Sequence, residues 1–568
     1  MMEKSHFWIP PVPFRQFRKS VVNSGIRMAC VVDDRLFHGL RFEGEMFLLT
    51  PDNWQEVITY GGIDFLLIES IWVSACGGWF IDNPRQIPSG QDLKLVVQHA
   101  RKKGIPTVFW MTRGYEFHEI YQDLLDHFDY LFSTDPKEVE MLQARGKNVD
   151  YLPPCIQPAV SNPFRSFDAQ PTFELNVLYD GLADLEKENG KLGLLREIQK
   201  LGLSIIESRR HLPSSCLHDL SEFKGSVLGC TTRRGRILAL THAKSCITFQ
   251  NTLSTCSEQQ WMSLEAAGSG LPVLYQGTLS GNDVRKSVVM ECGDLPLDLL
   301  IELVRFEKDP VFRERMGHLA WRQVHQDHTF SHRIRQICEK VGLDFLWEEY
   351  PEVSVIALAY NRDQAKRVRD IIKQQTYPHI ETVVLLKTRI PGLPEGQKLP
   401  ADTDNFRCIE LTETLSDMAC LHIGHNRAQG TCHFRMDCQD HYGPHYIADL
   451  MLYPRCTDTR VFAKPSVPLH DGNRVDEPFD SIITRCIISP ECLEKERSRI
   501  DDHSVCGRSD LFRAPPHGAE NVSPLLHGSF QEPVALTDRF NLAGRIQEFR
   551  RTRPETGDSR EYIEDVMV

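Results

Sequence analysis

The strongest constraint on the fold of this chain is an alternation of short apolar runs with amphipathic runs along its first 345 residues. Residues 26–32, 63–68 and 107–110 are nearly continuous in apolar side chains, which is typical of parallel strands that are buried on both faces. Amphipathic segments lie between them, such as residues 93–102, which end beside Gly104, a common helix stop. The pattern predicts strand–helix–strand units and therefore an α/β fold with doubly wound parallel sheets.

The alternation falls into three series, which predict three domains in this chain of 568 residues. The predicted domains are a first Rossmann-like domain at residues 25–158, a second at 172–345, an α/β domain at 351–547 and a charged tail at 548–568. The second series closes with residues 310–341, which are predicted to be helical throughout. Open α/β sheets bind ligands at the carboxyl ends of their strands. Two such domains in tandem therefore predict a ligand-binding cleft between them.

Composition limits both the partners and the location. The chain has 65 basic and 78 acidic side chains, a net charge of −13, so no sequence-wide attraction to nucleic acid is expected. The 17 cysteines are scattered, without a Cys-x-x-Cys pair, which favours free thiols over a zinc module or a disulfide framework. There is no run of about 18 apolar residues, and residues 1–20 lack the apolar core of a signal peptide. The predicted location is cytoplasmic.

The N-terminal arm has two interpretations. Aromatic residues between Phe7 and Phe17 are interleaved with basic ones, and three prolines interrupt the segment. An irregular arm packed on the first domain is favoured. Peripheral contact with a membrane surface is the alternative.

The segment from Glu258 to Val273 is the most informative motif. It places Glu258 and Glu265 seven residues apart, hence on one face of a helix, and ends in a Gly-Ser-Gly turn before a predicted strand. Two such acids can hold sugar hydroxyls, and a small-residue turn lets a ligand approach backbone N–H groups. By spacing alone, a solvated helix face with an ordinary glycine stop is the preferred interpretation. The chain lacks the glycine-rich dinucleotide, P-loop, zincin and α/β-hydrolase motifs.

Polar and aromatic residues also follow two predicted strands of the first domain. Glu69 and Trp72 follow residues 63–68, and His118 comes after residues 107–110. Because ligands bind at the carboxyl ends of parallel strands, Glu69 and Trp72 are predicted to face a ligand. For His118, a structural role and a role as acid–base catalyst both remain open.

Residues 263–273, Ser-Leu-Glu-Ala-Ala-Gly-Ser-Gly-Leu-Pro-Val, resemble the donor-site segment of GT-B glycosyltransferases. More specifically, they resemble the spore-maturation-type family, which is distantly similar to the family 4 sugar transferases. Supporting segments lie at residues 47–54, 67–72, 104–110, 132–135 and 328–333. The resemblance implies that Glu265 contacts the ribose of a nucleotide sugar and that Glu258 corresponds to the earlier acid of a pair. Six residues separate the acids here, whereas the family 4 pair has seven.

The same resemblance implies further donor contacts. Ser269 and Gly270 lie in the donor-site segment and are predicted to bind the donor. The family often carries a basic residue just before its acid, but this chain has Trp261 and Met262 there. Neutralisation of the donor phosphates must then come from other residues, and the candidates are Arg209, Arg210 and Arg233.

The third series resembles a family 2 GT-A glycosyltransferase at residues 353–362 and 375–378. Residues 436–446 resemble the metal segment of that family, in which a dense run of aspartates holds a divalent cation against a diphosphate. Only Asp437 and Asp440 remain here, and Lys387 and Arg389 stand near an expected acidic strand end. The resemblance implies Mg²⁺ or Mn²⁺ at the two aspartates. A non-catalytic, acceptor-binding or retired domain is an equally supported interpretation.

Together these features predict a glycosyltransferase that moves a sugar from a nucleotide-sugar donor to a glycan or cell-surface polymer. The GT-B part is expected to need no metal, and nucleic acid is not an expected partner. Two alternatives stay open. One is a sugar-nucleotide epimerase of GT-B fold, and the other is a non-catalytic glycan-binding or assembly protein.

Overall fold

A computed structural model describes residues 25–71, 74–76, 78–79, 89–114, 118–163, 175–181, 189–207, 223, 225–230, 233–249, 257–279, 283–345, 350–388, 405–440, 442–456, 461–463, 486–488 and 535–536. The chain divides into two compact units. Unit 1 runs to Glu348 and includes Pro454–Asp458, and unit 2 comprises Glu349–Tyr453 and Thr459–Val568. None of the described helices is both long and apolar enough to cross a bilayer.

The first sheet of unit 1 has six parallel strands in the order β2-β1-β3-β4-β5-β6. The strands are β1 (Arg27–Val31), β2 (Glu45–Leu48), β3 (Phe65–Glu69), β4 (Thr107–Met111), β5 (Tyr130–Ser133) and β6 (Val149–Tyr151). The helices are α1 (Asp34–Leu40), α2 (Trp54–Tyr60), α3 (Ser89–Lys102), α4 (His118–Leu125) and α5 (Pro136–Ala144). The strand order reverses direction between β1 and β3, which creates a topological switch point at their carboxyl ends.

The central strands of this sheet form where the sequence predicts them, because β3 and β4 are buried along their whole length. The edge strand β2 was not predicted. Its residues are exposed or half-buried, so it lacks the continuous apolar run that marks a strand covered on both faces.

The second sheet of unit 1 also has six parallel strands, in the order β12-β11-β10-β7-β8-β9. The strands are β7 (Leu175–Asp180), β8 (Leu203–Glu207), β9 (Val227–Cys230), β10 (Ala243–Phe249), β11 (Val273–Gln276) and β12 (Met290–Glu291). The helices are α6 (Asn189–Gln199), α7 (Arg233–His242), α8 (Ser257–Gly268), α9 (Pro296–Lys308), α10 (Pro310–Asp327) and α11 (Phe330–Val341). Counted from β7, this is the strand order of the Rossmann fold, and its switch point lies between β7 and β10. Unit 1 is therefore built on two Rossmann-like doubly wound sheets.

The helical stretch predicted at residues 310–341 consists of two helices in the structure. The structure ends α10 at Asp327 and starts α11 at Phe330, after an extended Thr329. Thr329 and His332 form a capping box, which satisfies backbone donors that a new helix leaves without intrahelical partners. The break lets α11 pack its apolar face into the first sheet: Phe330, Ile334 and Ile337 share a core with β1.

Unit 2 contains a seven-strand sheet in the order β15-β14-β13-β16-β18-β17-β19. Its strands are β13 (Val353–Ala359), β14 (Ile380–Thr388), β15 (Phe406–Thr412), β16 (Cys432–Asp437), β17 (Val461–Ala463), β18 (Cys486–Ile488) and β19 (Ala535–Leu536). Its helices are α12 (Arg362–Lys373), α13 (Asp417–Arg427) and α14 (Tyr446–Leu450). The first four strands of the sheet order are parallel, whereas β18 is antiparallel to both β16 and β17. The chain is thus a mixed α/β protein throughout its described parts.

Candidate functional site

The switch point of the first sheet carries a buried polar network. Glu69 is the last residue of β3, and its carboxylate accepts the Asp33 N–H at 2.8 Å and the Thr112 hydroxyl at 2.6 Å. Arg113 Nη2 forms an ion pair with Asp33 Oδ2 at 2.9 Å. Asp33 also caps α1, because its side chain accepts the N–H groups of the next helix turn. The loops after β1, β3 and β4 are thereby tied together at one edge of the sheet.

Burial shapes the ionisation of this network. The pKa of Glu69 is raised from its ordinary value of 4.5 to about 8, first by removal of its carboxyl group from water and then by the nearby charge of Asp33. Arg113 and the two hydrogen bonds act in the opposite direction. Glu69 is therefore a carboxyl group that can hold a proton near neutral pH.

The switch point of the second sheet carries an acid–arginine cluster. Asp180 is the last residue of β7, and its Oδ2 lies 3.2 Å from Nε of Arg236 on α7. The same guanidinium reaches Glu265 on α8, with Nη2 3.1 Å from Oε2. All three side chains are buried. Arg236 thus connects Glu265 to the carboxyl end of the strand that borders the switch point.

Arg35 joins the two halves of unit 1 at Glu265. It lies in the first turn of α1, just after β1, and its Nε is 3.7 Å from Glu265 Oε1. Its guanidinium also lies 5.1 Å from the ring centre of Trp261 on α8. Trp261 in turn packs against Trp110 and Phe330. Two arginines from other helices, Arg35 and Arg236, therefore bring positive charge to Glu265.

The structure places His118 in a separate network. Its Nδ1 lies 3.2 Å from Glu138, whose other oxygen accepts the Ser133 hydroxyl, and its Nε2 lies 3.3 Å from Arg145. Burial and Arg145 lower the pKa of His118. In these contacts both ring nitrogens are used within the first domain, and the proposed acid–base role remains a prediction.

The Gly-Ser-Gly turn is built differently from the prediction. The N–H groups of Ser269 and Gly270, expected to face a ligand, donate to carbonyls at the end of α8. The Ser269 hydroxyl donates to the Glu265 carbonyl at 2.8 Å. Gly270 has a φ of 80°, and a Cβ atom at Gly317 of α10 would lie 2.5 Å from its carbonyl oxygen. This close approach accounts for the glycine at position 317, whereas a Cβ atom at Gly268 would lie 2.8 Å from the Ile156 side chain. Donor binding by Ser269 and Gly270 remains a prediction.

Several predicted site residues lie outside what the structure describes. Trp72, Arg209 and Arg210 are among the residues that are not described, and the side chains of Glu258 and Arg233 are likewise not described. The backbone at Glu258 belongs to α8. Their predicted roles are unchanged.

Sequence reasoning missed Asp33, Asp180, Arg35 and Arg236. Both aspartates stand at the ends of predicted strands, so the argument that selected Glu69 applies equally to them. No sequence signal marks Arg236. It reaches Glu265 only because α7 and α8 pack on the same sheet, and Arg35 belongs to α1, a helix that was not predicted.

The predicted metal residues of unit 2 fit a divalent cation poorly. Asp437 ends β16, and its Oδ1 accepts the Gln439 N–H at 2.8 Å. Asp440 Oδ2 lies 3.4 Å from the Tyr442 hydroxyl. Among the described residues there is no group of three or more His, Cys, Asp and Glu side chains that could hold a metal. Mg²⁺ binding at these positions would need several more oxygen ligands.

Unit 1 belongs to the class of α/β proteins with two Rossmann-like domains in tandem. Unit 1 has two Rossmann-like domains whose switch points carry buried acids, and arginines from both domains meet at Glu265. Such an arrangement suits an anionic ligand with hydroxyl groups, since carboxylates accept from hydroxyls and guanidinium groups pair with phosphate oxygens.

No protein-family model matches the sequence, and no curated protein matches it. Sucrose-phosphate synthase from Thermosynechococcus elongatus is similar over 51% of this chain and 76% of that chain, at 12% identity and a TM-score of 0.34. A protein assigned as a UDP-N-acetylglucosamine 2-epimerase from Listeria monocytogenes is similar over 58% of this chain and all of that chain, at 10% identity and a TM-score of 0.34. Residues 1–349 of S. aureus TarS are similar over 33% of this chain and 58% of that chain, at 13% identity and a TM-score of 0.23. The fold class rests on the strand orders described above.

Proposed function

We propose that this chain is a glycosyltransferase that binds a nucleotide sugar in unit 1 and transfers its sugar to a hydroxyl group of a glycan or cell-surface polymer. The resemblance of residues 263–273 to the spore-maturation-type family motivates the donor class. One observation carries the proposal: Glu265, the acid of that segment, lies between an arginine of each Rossmann-like domain. The proposed location is cytoplasmic.

In this proposal Glu265 accepts hydrogen bonds from the donor ribose or sugar. Arg236 and Arg35 then neutralise negative charge that develops on the leaving diphosphate, because preorganised cations stabilise such charge without reorganisation. No metal is needed for this step. The Asp33–Glu69–Arg113 network holds the loops at the facing sheet edge in place. Movement of the two Rossmann-like domains toward each other excludes water and limits hydrolysis of the donor.

A nucleotide screen tests the proposal. The full chain is heated with nucleoside diphosphates and nucleotide sugars, and ligands that bind the folded state raise the unfolding temperature. We expect stabilisation by nucleotides of one base, weakened in the variant Arg236→Lys, since lysine lacks the planar guanidinium whose Nε and Nη2 reach Asp180 and Glu265 separately. The control Arg335→Lys changes an exposed arginine on α11 and should behave as the wild type. The proposal is contradicted if none of these nucleotides raises the unfolding temperature.

The products separate the alternatives. A transferase releases nucleoside diphosphate only when an acceptor is present, whereas an epimerase changes the donor sugar without one. A non-catalytic glycan-binding protein binds glycan and releases no nucleotide.

A further inference from the structure

A second cluster of polar and charged side chains lies in unit 2, at the carboxyl ends of its parallel strands. Tyr360 directly follows β13, Lys387 is the penultimate residue of β14, and Asp417 is the first residue of α13. Asp437 ends β16. Because β13 and β16 are neighbours whose connections leave in opposite directions, these residues lie at the switch point of this sheet, where open α/β sheets bind ligands.

The cluster is organised around Asp417. The Tyr360 hydroxyl donates to Asp417 Oδ2 at 2.6 Å, and Lys387 Nζ lies 2.8 Å from Asp417 Oδ1. The Lys387 ammonium is also 5.9 Å from the centre of the Tyr360 ring. These contacts lower the pKa of Asp417 and raise the pKa of Tyr360 to about 12. The carboxylate therefore stays ionised and the phenol stays neutral at physiological pH.

The charges of this cluster are balanced. Lys387 and Asp417 neutralise each other, and Arg435 and Asp437, both close enough to influence Tyr360, carry opposite charges. A balanced cluster lacks the excess negative charge that holds a divalent cation. It does offer many hydrogen-bonding atoms, because a carboxylate has about four acceptor sites and an ammonium three donors.

Tyr360 adds an apolar face to this polar group. Its side chain is 51% exposed, which places it among the exposed large hydrophobic residues of the chain. An exposed aromatic ring beside a carboxylate and an ammonium matches a sugar ring, whose C–H face packs on the aromatic ring while its hydroxyls donate to one group and accept from the other.

We infer that Tyr360, Lys387 and Asp417 form a binding site for a neutral glycan, separate from the donor site proposed in unit 1. The site supplies an aromatic platform and a hydroxyl-binding ion pair at the carboxyl ends of β13 and β14. It does not depend on the identity of the donor.

Binding of neutral tetrasaccharides to the full chain tests this site. Maltotetraose and tetra-N-acetylchitotetraose are titrated and followed by saturation-transfer difference NMR, with an expected Kd of roughly 1 mM for a small site. Tyr360→Ala should weaken binding about tenfold or more, as loss of a central aromatic contact does elsewhere. Tyr360→Phe keeps the ring and should stay within about threefold of the wild type. Tyr60→Ala removes an exposed tyrosine of unit 1 and is the matched control.

Three outcomes would overturn the inference. The first is absence of saturable binding of both tetrasaccharides to the wild type. The second is unchanged binding in Tyr360→Ala, and the third is displacement of the tetrasaccharide by UDP with Mn²⁺ in an Asp437-dependent manner. Glu265→Gln should leave tetrasaccharide binding unchanged, so failure of the donor proposal and failure of this one are distinguishable. If Tyr360→Ala does not fold, Asp417→Asn replaces it and should also weaken binding.

Discussion

At the scale of single residues, Glu265 is distinguished by its two arginine partners. Replacing it with glutamine removes the negative charge but keeps the shape, and Arg236 retains its pair with Asp180. We expect the fold to survive and sugar transfer to fall roughly 10²–10³-fold, the loss typical of one preorganised polar group. Steady-state kinetics of Glu265→Gln measure this, with the exposed acid Glu197→Gln as control. Transfer at the wild-type rate would remove Glu265 from the site.

Glu69 predicts a pH dependence of stability. The unfolded chain ionises this carboxyl near 4.5, whereas the folded chain keeps it protonated up to about 8. The folded state therefore binds more protons between these values, so the contribution of Glu69 to stability is present below pH 4.5 and is lost as the pH rises through 8. In Glu69→Gln, which mimics the protonated form, the unfolding free energy should fall less between pH 5 and 8.

Urea unfolding at several pH values measures this difference, which for one group is at most about 1.4 kcal/mol per pH unit. The exposed acid Glu45→Gln serves as control. Parallel pH profiles for wild type and Glu69→Gln would show that Glu69 is ionised in the folded protein.

At the scale of elements, a buried arginine adds hydrogen bonds to the apolar packing of helix α11 on the first domain. Arg333 is buried, and its guanidinium donates to the carbonyls of Pro153 at 2.8 Å and Pro154 at 3.2 Å. A lysine cannot span both carbonyls. We expect Arg333→Lys to lower the free energy of unfolding by about 3 kcal/mol, the worth of one or two charged hydrogen bonds in a buried site.

Chemical unfolding followed by tryptophan fluorescence checks this prediction, because Trp110 and Trp261 pack near Phe330 of α11. The same substitution at the exposed Arg335 of α11 should change little. Equal effects at the two positions would contradict a specific role for Arg333.

The side chains at the end of strand β16 are poor ligands for a divalent metal ion. Asp437 and Asp440 provide two carboxylates, and the intervening Cys438 is a soft ligand unsuited to Mg²⁺. We expect no metal-dependent sugar transfer from this unit. Calorimetry on the full chain, titrating Mn²⁺ with nucleoside diphosphate present, is the measurement. Tight uptake that disappears in Asp437→Asn, together with transfer, would contradict the expectation.

At the scale of the whole molecule, each of the two units is built from more than one segment of the chain. Pro454–Asp458 belongs to unit 1, although it follows strands β13 to β16 of unit 2 in the sequence. Within unit 1, Arg455 Nη1 donates to the carbonyl of the buried His325 at 3.2 Å. Unit 1 therefore includes a short segment from the range predicted for the third domain, residues 351–547.

A fragment of residues 1–349 should still fold and bind nucleotide, because both Rossmann-like sheets and helix α11 lie within it. Its free energy of unfolding should be lower by about 1 kcal/mol, the typical worth of the missing hydrogen bond. Arg455→Ala in the full chain should reproduce most of this loss. An insoluble fragment, or one that binds no nucleotide, would show that the later residues complete the first core.

The sequence by itself determined the elements whose signal is local. Strands β3, β4 and β13 were predictable because burial on both faces requires continuous apolar runs. The position of Glu69 at the end of β3 was predictable for the same reason. In unit 2, β15, α13 and β16 went unpredicted, since strand β15 is half-exposed along most of its length. The break between α10 and α11 was missed as well, because a capping box inside a charged stretch adds no apolar signal.

The tertiary structure alone decided the composition of the site. Arg35, Arg236 and Glu265 are separated by up to 230 residues along the chain, and nothing local to any of them indicates that they meet. Their contact depends on how α1, α7 and α8 pack around two sheets, and that packing follows from the summed burial of many apolar residues. Likewise, Gly268 packs closely against Ile156, and Gly317 of α10 packs closely against the Gly270 carbonyl. The sequence alone does not distinguish such a packing role from ligand binding. Ion pairs and close backbone contacts are pairwise properties of the folded state, whereas hydrophobic periodicity is a property of the chain itself.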